Sequence, residues 1–140
     1  MASSAEATPP EPLVLDASAL VEALLGTELG AAARRRMRGH QLHAPAHLDA
    51  EVLSALGGLH RAGQLSDAAA AAALDELAGA PIQRRPLAGL LSGAWGRRES
   101  QRLADALYLE LTASFDAARL LTTDARLARS DESAELIGSS

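Results

Sequence analysis

The chain has 140 residues, 48% of them hydrophobic and 2% aromatic, and carries a formal net charge of −5. That length suits one domain with enough apolar side chain to bury a core, which excludes disorder as its main state. It contains neither cysteine nor lysine, and so no thiolate metal site, cysteine nucleophile, Walker-type phosphate loop, Schiff base or Ser–Lys dyad. The scarcity of aromatics argues against a stacking platform for single strands. The negative charge argues against nucleic-acid binding through the global field, while leaving room for a local arginine patch. No apolar run reaches the length of a membrane span. Residues 1–12 are polar and proline-rich with no basic start, which predicts a disordered tail rather than a signal peptide, and a cytoplasmic protein.

In chain order, Leu13–Leu15 is a short, non-alternating apolar run, as expected of a strand buried on both faces. Asp16-Ala17-Ser18 is a turn, with Ser18 as the expected cap of a helix over Ala19–Leu25. Glu28–Arg38 is a helix, acidic at its start and basic at its end, closed by Gly39. Gln41–Ala44 is a short strand. His47–Ala62 is a helix whose Leu48, Val52, Ala55, Leu56 and Leu59 form one stripe. Ser66 caps an alanine-rich helix that ends before Gly79 and Pro81. Pro81–Arg85 is a strand, Leu87 to Gly93 begins a helix that can extend through Trp95, and Gly96–Ser100 is a loop. Then follow a helix over Gln101–Ser114, a strand over Arg119–Thr123, a helix over Asp124–Arg129 and a last strand over Glu135–Ile137. Strands that alternate with helices predict an α/β fold with a central parallel sheet of four to five strands covered by helices. Nothing divides residues 13–140 into two domains.

Asp16 and Asp124 each stand at the end of an apolar run, so both carboxylates are expected at the carboxyl edge of the sheet, where such folds build their sites. Each has a simpler role available, in a turn or as a helix cap. Asp105 lies in a helix apolar around most of its circumference, Leu103-Ala104-Asp105-Ala106-Leu107-Tyr108. A carboxylate there needs a cation, an arginine or backbone donors; the helix dipole or an ion pair to Arg102 would serve. Asp49 and Glu51 lie about 200° apart on their helix and cannot share one site; periodicity does not choose between them. The four histidines are scattered, and Pro45 disrupts helical spacing between His43 and His47; all read as structural or surface residues. Arg34–Arg38 reads as a solvated helix end. Arg97, Arg98 and Arg102 precede Asp105 and are candidates for holding a phosphate.

Four segments in this order resemble the PIN-domain ribonucleases, and among them the VapC-type toxins of bacterial toxin–antitoxin pairs. They are Val14-Leu15-Asp16-Ala17-Ser18-Ala19-Leu20; Pro45-Ala46-His47-Leu48-Asp49-Ala50-Glu51-Val52-Leu53-Ser54-Ala55-Leu56; Arg102 to Tyr108; and Leu121-Thr122-Thr123-Asp124-Ala125-Arg126-Leu127-Ala128. The resemblance runs from Leu13 to the C-terminus. It implies a three-layer α/β/α PIN-like domain and an endoribonuclease with Asp16, Glu51, Asp105 and Asp124 as catalytic acids and ligands of Mg²⁺ or Mn²⁺. It selects Glu51 over Asp49, and it assigns supporting hydroxyls to Ser18 and Thr122. It further implies an RNA substrate, a cognate VapB-like antitoxin and a homodimer, with no membrane. It lends no support to roles for Arg97, Arg98 and Arg102. Two rival readings are a non-catalytic PIN-like module that dimerises or sequesters a partner, and an aspartyl-phosphate enzyme, which the missing lysine disfavours.

Overall fold

In the computed structural model, residues 9–138 are described. The first eight residues of the expected tail lie outside them. Pro9, Pro10 and Glu11 are exposed coil, but Pro12 already belongs to the first strand, where its backbone registers with Gln41.

The sheet has five strands, all parallel, in the order β3-β2-β1-β4-β5. They are β1 (Pro12–Leu15), β2 (Gln41–Pro45), β3 (Ile82–Arg85), β4 (Arg119–Thr122) and β5 (Ala134–Leu136). The helices are α1 (Ala17–Leu25), α2 (Glu28–Met37), α3 (Leu48–Arg61), α4 (Asp67–Gly79), α5 (Leu91–Gly96), α6 (Leu103–Ala113) and α7 (Ala125–Ser130). They flank the sheet in a three-layer α/β/α arrangement, as expected. β1 and β4 are buried along almost their whole length because helices cover the sheet; Val14, Leu15 and Leu120 have no exposed surface. α6 packs over β1, β2 and β4, and α1 packs with α2, α3 and α4. Leu48, Val52 and Leu56 of the predicted stripe are the buried residues of α3.

Local chemistry sets the element ends. Gly26 closes α1 in the left-handed conformation at φ 69°, and the Thr27 hydroxyl caps α2 by accepting from Gly30 N at 3.0 Å. Gly30 lets α2 approach α1 closely: a Cβ there would overlap the Glu22 carbonyl. The Ser66 hydroxyl caps α4 as expected, accepting from Ala69 N at 3.1 Å.

Three expectations need correction. Ser18 is not the cap of α1: the helix starts at Ala17, Asp16 takes the N-cap position, and neither makes a side-chain cap bond there. The helix expected to begin at Leu87 starts as a 3₁₀ turn over Ala88–Leu90, with Gly89 a poor helix former, and becomes α5, which runs through Trp95 as expected. α6 starts two residues later than expected, with Arg102 extended at its N-cap while the Gln101 side chain donates to the Ser130 hydroxyl at 2.8 Å.

The chain runs from β1 outward to β2 and β3, then returns to the other side of β1 as β4. The order therefore reverses between β1 and β4. Crevices at the carboxyl ends of such a strand pair are where open α/β sheets bind ligands. Asp16 follows the last residue of β1, and Asp124 lies just beyond the end of β4.

Candidate active site

Asp16 is only 7% exposed. Its carboxylate is anchored by hydroxyls rather than used as a cap. Ser18 Oγ donates to Asp16 Oδ2 at 2.6 Å, and Thr122 Oγ1 donates to the same oxygen at 2.7 Å. Each hydroxyl has a single proton, so the 3.2 Å approach of Ser18 Oγ to Thr122 Oγ1 is a contact and not a further bond. Both hydroxyls also accept from backbone: Thr123 N donates to Ser18 Oγ and Asp124 N to Thr122 Oγ1, each at 3.0 Å. A relay of amide, hydroxyl and carboxylate thus ties the ends of β1 and β4 together. Thr122, fully buried, is the threonine that faces Asp16; alternation along β4 turns its neighbour elsewhere.

Burial pushes the Asp16 carboxyl above its ordinary value; the Ser18 and Thr122 hydroxyls pull it back, and the charges of Asp105 and Glu51 push it up again. Those last two effects show that α3 and α6 bring their acids to bear on Asp16. Glu51 Oε1 accepts a 2.7 Å hydrogen bond from the hydroxyl of Tyr108, which has no exposed surface. Burial and the bond to Glu51 raise the Tyr108 phenol far above its ordinary range, so it remains a donor. Asp49, on the other side of α3, pairs with Arg84 at 3.0 Å and is turned to a different task.

Asp105 sits in the first turn of α6, and its partner is Arg126, not Arg102: Arg126 Nη2 lies 2.9 Å from Asp105 Oδ2. Asp124 does fill the simpler role. Its Oδ1 caps α7, accepting from Arg126 N at 2.9 Å and Leu127 N at 3.2 Å. Its Oδ2 is 3.6 Å from the same Arg126 guanidinium.

Two site residues escape the sequence reading. His47 was expected to be structural or surface, but its ring packs 4.8 Å from that of Tyr108 and its Nε2 lies 3.6 Å from Glu51 Oε1 and 3.1 Å from the Ala104 carbonyl. Its Nδ1 is buried without a partner among the described residues. The i, i+4 spacing of His47 and Glu51 was the available signal. The other is Arg126, whose signal was only a charge at the start of a helix opened by an acid.

The candidate phosphate arginines separate. Arg97 is engaged by Glu110 at 2.5 Å and Asp131 at 3.2 Å. Arg98 stacks 4.9 Å over the Trp95 ring. Arg102 is exposed at the N-cap of α6, at the foot of the Asp105 turn. The basic end of α2 is tied in part: Arg34 reaches Glu76 at 2.7 Å and Arg36 reaches Glu135 at 2.6 Å.

Among the described residues, no three acidic or histidine side chains are gathered tightly enough to enclose a metal ion. The donor chemistry still fits a hard divalent cation. Every donor is a carboxylate or hydroxyl oxygen; the charges of Asp105 and Glu51 bear on the buried Asp16, and of the four acids Arg126 bridges only Asp105 and Asp124.

Residues 13–133 match the PIN domain family. The chain is 52% identical over 132 residues to "Ribonuclease VapC3" of Mycobacterium tuberculosis, covering 94% of this chain and 96% of that one. It is 38% identical over 118 residues to "Ribonuclease VapC12" of the same organism, covering 84% and 91%. A crystal structure of PAE2754 from Pyrobaculum aerophilum superposes with a TM-score of 0.64 at 25% identity, covering 94% of this chain and 87% of that one.

Proposed function

The chain belongs to the PIN-domain family, to its VapC-type ribonucleases, and on that premise we propose that it is a metal-dependent endoribonuclease toxin acting at Asp16, Glu51, Asp105 and Asp124. The observation that carries this reading is Asp16. An ionisable group is buried at the switch point of the sheet, fixed by two hydroxyls and faced by two further acids. A fold gains no stability from that repulsion; a site for a cation does.

Asp16, Asp105 and Asp124 would hold Mg²⁺ or Mn²⁺, with Glu51 as a further ligand or as the acceptor that orients the attacking water. When bound, such an ion would offset charge at the scissile phosphate and lower the pKa of a water so that it can give up a proton and act as the nucleophile. Ser18 and Thr122 keep Asp16 Oδ2 in place. Tyr108 holds Glu51 Oε1 by its hydrogen bond, with the His47 ring packed beside it, so the carboxylate would enter the reaction pre-oriented. Of the three candidate arginines, exposed Arg102 at the N-cap of α6 would take a substrate phosphate; Arg97 is already engaged by two acids and Arg98 stacks on Trp95. Without a cation the clustered carboxylates repel RNA, so both binding and hydrolysis need one.

Kinship with the VapC-type ribonucleases implies a VapB-like antitoxin partner. A groove of about 410 Å³ lined by Leu20, Leu24, Met37, Leu42 and Ile82, with Arg34 and Glu76 at its edge, suits an apolar helix of such a partner. Exposed Leu91 and Trp95, one turn apart on α5, supply an apolar stripe for a homodimer. No helix among the described residues is long and apolar enough to cross a membrane.

The test is incubation of total RNA with the chain in Mg²⁺, in Mn²⁺ and in EDTA, beside Asp16→Asn and Asp105→Asn. Cleavage that needs the metal and both acids supports the nuclease. Absence of cleavage in every condition, with tight binding of a partner, supports the non-catalytic module.

A further inference from the structure

The acid cluster already holds a positive charge supplied by the chain itself. Arg126 Nη2 lies 2.9 Å from Asp105 Oδ2 and 3.6 Å from Asp124 Oδ2, so one guanidinium joins an acid on α6 to an acid beyond β4. Its backbone is held by the same acid, since Asp124 Oδ1 accepts from Arg126 N. The side chain is 41% exposed while Asp105 is 18% exposed, so the arginine can leave into water but the acid cannot.

We propose that Arg126 is the resident counter-ion of the cluster: a positioning residue that holds Asp105 and Asp124 together before a divalent cation arrives, and that the cation displaces on binding. The inference rests on the metal-dependent reading above. A cation held by Asp105 and Asp124 competes with Arg126 for the same two carboxylates: Asp124 Oδ1 is committed to the α7 cap, which leaves the Oδ2 that Arg126 approaches, and two positive charges at ion-pair distance from one carboxylate repel. Exchange of one cation for the other keeps Asp105 compensated at every stage, which a half-buried carboxylate requires. The guanidinium suits this task because its planar fork can face two acids at once, where an ammonium is a point charge. Charge at Arg126 therefore stabilises the metal-free protein and weakens its hold on the metal.

The experiment is a Mn²⁺ titration of the full chain, without RNA, followed by electron paramagnetic resonance of free Mn²⁺, with melting temperatures recorded in EDTA. Arg126→Gln is expected to bind Mn²⁺ about three- to tenfold tighter than the wild type and to melt at a lower temperature in EDTA. Arg129→Gln removes the same charge from an exposed position on the same helix and is expected to bind like the wild type. Arg126→Lys is expected to fall between the wild type and Arg126→Gln. Equal or weaker binding by Arg126→Gln overturns the proposal, and so does wild-type affinity in Arg126→Lys, which would reduce the effect to charge at a distance. Should Arg126→Gln fail to fold, Arg126→Lys decides by the same measure. Asp16→Asn separates the two readings: loss of Mn²⁺ binding there upholds the metal site whatever Arg126 does, whereas no binding by the wild type removes the metal site and this inference with it.

Discussion

Asp16 shows how one side chain can work against the fold that carries it. It is buried, its charge faces those of Glu51 and Asp105, and the hydroxyls of Ser18 and Thr122 offset only part of that cost. Asp16→Asn keeps an oxygen for the two hydroxyls and removes the charge. In EDTA it is expected to be more stable than the wild type by about 1 kcal/mol, a rise of a few degrees in melting temperature, while RNA cleavage is lost. Tyr108 makes the opposite case. Its buried phenol donates to Glu51, and Tyr108→Phe leaves that carboxylate without the donor. The expected result is a loss of about 1.5–3 kcal/mol in stability, measured by denaturant unfolding, together with a roughly tenfold lower cleavage rate. A mutant as active as the wild type would remove Tyr108 from the account of how Glu51 is held.

At the scale of elements, β2 and β3 are joined beneath the site by His43. The residue has no exposed surface, and both ring nitrogens are used: Arg85 Nε donates to Nδ1 at 3.2 Å, and Nε2 donates to Gln41 Oε1 at 2.8 Å. That arrangement needs the neutral ring, since a proton on Nδ1 would point at the Arg85 donor. Burial, and then the Arg85 charge, lower its pKa below the ordinary 6.5. The unfolded chain therefore takes up a proton below pH 6.5 that the folded chain refuses, so stability falls as pH drops through that value and levels off below the folded pKa. Thermal melts from pH 7.5 down to 5 are expected to show this slope, and His43→Gln is expected to flatten it. The same reasoning explains why β2 reads as an ordinary short strand in sequence although it carries a polar lock: Gln41 and His43 lie two apart, on one face of the strand.

For the whole molecule, the parallel order β3-β2-β1-β4-β5 does more for function than any single element. It brings residues 16 and 122 into hydrogen-bond contact and leaves the reversal between β1 and β4 as the natural site. The core is mostly Leu, Val and Ala and meets the acids chiefly through Tyr108, so the edge can carry repulsion without most of the core depending on it. The surface has its own asymmetry. Trp95 is 58% exposed and Leu91 55%, one helical turn apart. A side chain of that size is poorly suited to water, and the stripe is the face expected to pair two copies. Light scattering after gel filtration is expected to give a dimer for the wild type and a monomer for Trp95→Glu, with the fold unchanged by circular dichroism. A wild-type monomer would end that reading.

Much of this protein is legible in its sequence because much of it is local. Apolar runs, the Ser66 cap, the Gly39 stop and the alternation of strand and helix follow from short-range sterics and hydrogen bonding, and they were enough for a parallel α/β sheet with Asp16 and Asp124 near its carboxyl edge. The family resemblance singled out Glu51 over Asp49, and the fold supplies a physical reason: Asp49 faces Arg84, whereas Glu51 meets Tyr108. What only the tertiary structure decided is who partners whom. The pairing of Asp105 with Arg126 instead of Arg102, the entry of His47 beside Glu51, the bond from Thr123 N that ties Ser18 to the end of β4, and the engagement of Arg97 by Glu110 and Asp131 all depend on where separate elements meet. Charge and hydrogen bonding act through space over a few ångströms, and the chain's own order does not record those distances until the sheet has brought its ends together.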